Sequence, residues 1–138
     1  MARRPQGIPV SRSPDSPATA VAPRTRLSAW WRALRPHQWS KNLLVFVPAV
    51  AAHRYADPAT MLAALAMFVA MGFAASAIYL VNDIADRDAD RRHVRKRLRP
   101  FASGELRPAA GAAAASVLLA FATALAVAVL PVAAVTAL

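Results

Sequence analysis

The chain has 138 residues, 57% of them apolar, and a formal net charge of +10 with the charges bunched rather than interspersed. That balance excludes an ordinary soluble domain and suits a membrane protein. The basic residues flank apolar runs instead of covering a polar face, which argues against a nucleic-acid partner, and the lack of cysteine excludes disulfides and thiolate metal sites.

Residues 1–26 hold five prolines and no long apolar block. They cannot bury enough surface to order themselves and read as a disordered basic tail, with the folded part over residues 27–138. No apolar core of about 7–15 residues follows the basic start, so no export signal is expected. Next comes LSAWWRALRPHQWSKN, Leu27 to Asn42, which contains all three tryptophans. It is expected to form an interfacial amphipathic helix that turns at Pro36 into a first span. The apolar block that follows, NLLVFVPAVAA (Asn42 to Ala52), is about half a span long. It crosses a bilayer only if Trp39 and Lys41 sit at one interface and His53, Arg54 and Tyr55 at the other.

From Pro58 to Asn82 there are 25 residues without a formal charge, enough for a helix that needs ~20 to cross a bilayer core. VNDIADRDAD, Val81 to Asp90, comes directly after and holds four of the seven acidic residues of the chain. RRHVRKRLR, Arg91 to Arg99, follows it. A second uncharged run extends over the 31 residues from Pro108 to Leu138. Pro131 is expected to break or kink it, dividing it into a span of roughly Ala109 to Leu130 and the start of another. A helix ending in mid-bilayer leaves carbonyls without partners, so the chain is expected to be truncated. Lys and Arg number eight in residues 1–41, eight in 83–107 and one in the intervening loop. This asymmetry predicts a multi-pass protein of the cytoplasmic membrane with its N-terminus and aspartate segment in the cytoplasm.

If the helix continues past Val81, Asn82, Asp83, Asp86 and Asp90 fall within an arc of about 100°. Clustered carboxylates repel one another, and a bound Mg²⁺ reverses that cost while sharing its coordination with substrate phosphates. Asp83, Asp86 and Asp90 are therefore candidate metal ligands. The arginines and Lys96 of the following loop are candidate donors to a diphosphate, and Ser103 and Gly104 suit a turn whose amides approach an anion. The competing reading pairs the aspartates with arginines at i+4, Asp83 with Arg87 and Asp88 with Arg92, and leaves the basic loop to touch anionic lipid.

LRPHQWSKN (Leu34 to Asn42), LVNDIADRDAD (Leu80 to Asp90) and KRLRPFASGEL (Lys96 to Leu106) together resemble the UbiA-type family of intramembrane prenyltransferases, and within it the decaprenyl-phosphate phosphoribosyltransferase-like branch. The resemblance implies an all-α fold of polytopic transmembrane helices around a central cavity, of which the first three to four helices are present here. It implies a Mg²⁺-dependent transferase with Asp83 and Asp86 catalytic and Asp83, Asp86 and Asp90 on the metal. Asn82, Lys41, Lys96, Arg97 and Arg99 would bind substrate. The implied donor is a polyprenyl diphosphate, or phosphoribosyl pyrophosphate with a polyprenyl phosphate as acceptor, and membrane lipid is the surrounding partner. The family's second aspartate motif has no counterpart, since no acidic residue follows Glu105. The rival is a small non-catalytic membrane protein with an anionic-lipid-binding basic loop.

Overall fold

The computed structural model describes the backbone of residues 25–136 and the side chains of residues 25–129. The expected N-terminal tail lies outside the described residues apart from Thr25 and Arg26, which open the first helix. Helix α1 (Arg26–Leu34) is capped by the Thr25 hydroxyl, which accepts from the Ser28 amide at 3.3 Å. It ends at Arg35, whose φ of +51° is left-handed. Pro36 disfavours the α region for the residue before it, so the chain turns there. Ala29 and Ala33 face inward from α1, while Leu27 and Trp31 point outward.

Pro36–Phe46 is an unusually long 3-10 helix that passes directly into α2 (Val47–Ala51). At about 2.0 Å per 3-10 residue and 1.5 Å per α residue, these elements together reach about 30 Å, the thickness of a hydrocarbon core. An α-helix over the same residues would fall several ångströms short. The three-residue repeat also sets the faces. Pro36, Trp39, Asn42 and Val45 are all partly buried, whereas His37, Ser40 and Leu43 are exposed, as are Lys41 and Leu44.

Helix α3 (Pro58–Ala85) starts at Asp57, whose carboxylate accepts from the Ala59 and Thr60 amides at 3.3 Å. After a break at Asp86 come α4 (Arg87–Arg92), a 3-10 turn (Lys96–Leu98), the short α5 (Pro100–Ser103) and finally α6 (Pro108–Thr136). Helices α3 and α6 are long and apolar enough to cross a membrane. Helix α6 runs on through Pro131, so the expected division of this run does not occur. Proline removes its own N–H bond and crowds the carbonyl four residues earlier, a cost that helices in apolar surroundings tolerate by local adjustment. No strand occurs among the described residues.

Helices α3 and α6 pack antiparallel, with Phe73 against Phe121 and Ile84 beside Gly111. Small residues let the backbones approach: Ala70, Gly72, Ser76 and Ala77 are buried on α3, Ala115 and Ala122 on α6. A Cβ on Gly72 would stand 2.5 Å from the Trp39 ring, and one on Gly111 2.5 Å from the Phe101 ring. The core gathers at one end of the bundle, where Ala29, Ala33, Ala77, Leu80, Phe101, Leu106 and Ala115 meet. That cluster draws α1, α5 and both long helices to the level of the acidic segment.

Candidate functional site

The acidic segment lies across the boundary between the buried and open sides of α3. The turn at Asp86 keeps helical hydrogen bonding: the Asp86 amide donates to the Asn82 carbonyl at 2.9 Å and the Asp90 amide to the Asp86 carbonyl at 2.8 Å. At 100° per residue the order around the axis is Asn82, Asp86, Asp90, Asp83. The first two are exposed. Asp83 and Asp90, 4% and 2% exposed, are buried.

The buried pair faces arginine. Arg35 donates through one amino group to both Asp83 oxygens, at 2.7 and 3.0 Å, and lies over the Tyr79 ring at 4.9 Å. Arg99 bridges the two carboxylates, 2.8 Å from Asp90 Oδ2 and 3.3 Å from Asp83 Oδ1. Two guanidiniums thus neutralise two carboxylates whose burial alone would be expensive. The sequence-based alternative of ion pairing therefore occurs, but through other partners. Asp83 reaches across the fold instead of to Arg87, and Asp88 pairs with Arg87 and Arg91 at 3.3 and 3.6 Å on the surface.

Asp86 makes no side-chain hydrogen bond or ion pair among the described residues. With Asn82 one turn away it offers an open carboxylate and an amide oxygen. This is the donor chemistry of a Mg²⁺ ion that keeps most of its water and shares a substrate phosphate. Asp83 and Asp90 are committed to guanidinium, so the expected trio of metal ligands is divided. Among the described residues no three His, Cys, Asp or Glu side chains group as a metal site.

Asn82 also stands at the edge of a groove of about 320 Å³ between α3 and α6, lined by Ala77, Ile78, Val81, Ala112, Ala115 and Leu119. On the other side, residues 91–98 are exposed without exception, including Val94 (77%) and Leu98 (54%). Lys96 and Arg97 belong to this loop. Lys41 is exposed on the first 3-10 helix, and no hydrogen bond or ion pair joins it to the carboxylates among the described residues. Arg99 lies beneath the loop, turned to Asp83 and Asp90. At the expected anion-binding turn the Ser103 amide donates to the Arg99 carbonyl at 2.9 Å, and Gly104 takes a φ of +84°.

The family model of the UbiA prenyltransferase family matches residues 42–138. The chain belongs to the UbiA prenyltransferase family. Over 98 residues this UbiA-family chain is 43% identical to the decaprenyl-phosphate phosphoribosyltransferase of Mycolicibacterium smegmatis, covering 67% of this chain and 30% of that one. The protein of the same name from Mycobacterium tuberculosis is 49% identical over 78 residues, 53% of this chain and 26% of its own length. The nodulation protein NoeC of Azorhizobium caulinodans is 49% identical over 76 residues, covering 54% and 24%. The chain thus spans less than a third of the length of these curated relatives. No solved structure matches it.

Sequence reasoning missed Arg35, which lies inside the first of the UbiA-family motifs, and Arg32 and Ser76, which lie outside them. Arg32 pairs with Glu105 and donates to the Leu98 carbonyl at 3.3 Å. Ser76 accepts from the Trp39 indole at 3.1 Å and donates to the Leu34 carbonyl at 2.7 Å. The usable signal was Arg35-Pro36, a dipeptide that forces a turn and aims a charged side chain away from the helix path.

Proposed function

We propose that this chain contributes the first metal-and-phosphate half-site of a membrane transferase acting on a diphosphate-activated donor. The observation that carries the reading is the open pair Asn82 and Asp86, set between an apolar groove and an exposed basic loop. Asn82 and Asp86 would hold Mg²⁺. When bound, that ion supplies positive charge where the diphosphate leaving group develops its negative charge. Lys96 and Arg97 would add exposed cations from the loop that follows, and the groove would accept an isoprenoid chain by apolar burial. The reaction class is transfer of a prenyl or phosphoribosyl group. The names of the relatives favour phosphoribosyl pyrophosphate as donor and a polyprenyl phosphate as acceptor. The acidic segment and the N-terminus face the cytoplasm in this reading, in line with the distribution of Lys and Arg.

The test is Mg²⁺-dependent transfer in membranes carrying the complete reading frame, with both donor classes offered. Asp86→Asn and Asn82→Ala are expected to lower turnover by ~10²-fold or more while the protein stays membrane-inserted. Full turnover in Asp86→Asn removes the reading.

The second reading is an anionic-lipid-binding loop, favoured by Val94 and Leu98, which stand exposed among five cationic side chains. It expects binding to phosphatidylglycerol vesicles that weakens with salt and ignores Mg²⁺.

A further inference from the structure

Residues 91–98 carry Arg91, Arg92, Arg95, Lys96 and Arg97, all exposed, and their mutual repulsion favours an open, wandering loop. The loop is nevertheless closed at its base. Asp90 immediately precedes it and Arg99 immediately follows it, and the two side chains meet at 2.8 Å with Asp90 buried. Asp83 accepts from Arg99 on the floor of α3, and Arg35 holds Asp83 through both oxygens. Arg91 adds a bond from its Nε to the Ala102 carbonyl at 3.1 Å.

We infer that Arg35, Asp83, Arg99 and Asp90 form a metal-independent staple that closes the basic loop 91–98, with Arg35, Asp83 and Arg99 acting as positioning residues. The quartet carries no net charge, so no cation is needed to make its burial tolerable. Arg99 sets the return of the loop instead of contacting the donor. Arg35 acts at one remove, by fixing the carboxylate against which Arg99 is aimed. For donor binding, this role rests on the transferase reading above; the staple itself does not.

The test is mapped tryptic cleavage of the full chain in detergent, in EDTA and again in Mg²⁺, because the loop itself supplies the cleavage sites. Asp90→Asn and Arg99→Gln are expected to speed cleavage after Arg91 to Arg97 by about tenfold through a larger open population, with cleavage after Arg54 unchanged. The double variant is expected to be no faster than either single one, Arg99→Lys to restore part of the protection, and the wild-type rate to be the same in both buffers. Loop cleavage unchanged in the variants, equal acceleration after Arg54, or loss of wild-type protection in EDTA would each overturn the staple. In turnover assays of the complete reading frame, Arg35→Gln is expected to raise the donor KM by a larger factor than it lowers kcat. Because cleavage is read without substrate, failure of the transferase reading leaves the proteolytic result standing, and the converse also holds.

Discussion

Within the acidic motif, neighbouring aspartates have different tasks, because about 40–60° of rotation about the helix axis separates water-facing Asp86 from buried Asp90 and Asp83. Asp83→Asn removes the charge from a buried carboxylate and leaves Arg35 without its partner, a loss of roughly 3 kcal/mol. Asp86→Asn touches no such partner and is expected to leave the melting temperature unchanged. Comparing the two by thermal unfolding in detergent checks the division, and equal losses would refute it. At the far end of α3 the Thr60 hydroxyl, then the Ala59 and Thr60 amides and Arg54, hold the Asp57 carboxyl below its ordinary value. The stabilisation from this cap is present above the unfolded-state value of 3.8 and is lost as the pH falls through the lower folded-state value. The melting temperature is therefore expected to drop in that acid range, and Asp57→Asn, which keeps an acceptor without a titrating group, is expected to flatten that limb. The motif was legible in the sequence as an arc, but the arginine that divides it was not. Arg35 lies 48 residues from Asp83, and no periodicity links them.

Among the elements, the two long helices were readable from uncharged length alone, since ~20 apolar residues admit few other fates. The first apolar block was legible only as half a span completed by its flanking residues, because the added reach comes from a 3-10 helix that its composition does not announce. A 3-10 helix stacks side chains at i and i+3 in straight rows, so Pro36, Trp39, Asn42 and Val45 form one edge along α3. Asn42 lies in that row, and its Nδ2 is buried with no hydrogen-bond partner among the described residues. If this segment crosses the bilayer, Lys41→Cys and His53→Cys will react with an impermeant maleimide from opposite sides of sealed vesicles. The lack of any native cysteine makes the assay clean. Labelling of both from one side would show that the segment does not cross. The packing of Gly111 against Phe101 gives a second check. Gly111→Ala forces a ring that is 1% exposed to move and is expected to cost about 1–3 kcal/mol by thermal unfolding. An unchanged melting temperature would mean that the two helices separate there without penalty.

For the whole molecule, the site is assembled from residues scattered along the chain: a turn after α1, the end of α3, the start of α4 and the entrance to α5. Composition sufficed to place the chain in a membrane class, and three short motifs placed it in its family. What joins those motifs in space is the arginine–aspartate quartet, and its order of synthesis has a consequence of its own. Arg35 leaves the ribosome 48 residues before the carboxylate it will pair with, and Arg99 follows that carboxylate by 16 more. Until residue 99 emerges, the growing chain carries an unmatched charge next to apolar surface. The partners that anchor α1, Asp83 for the Arg35 that follows it and Glu105 for Arg32, are thus all made well after the helix they hold.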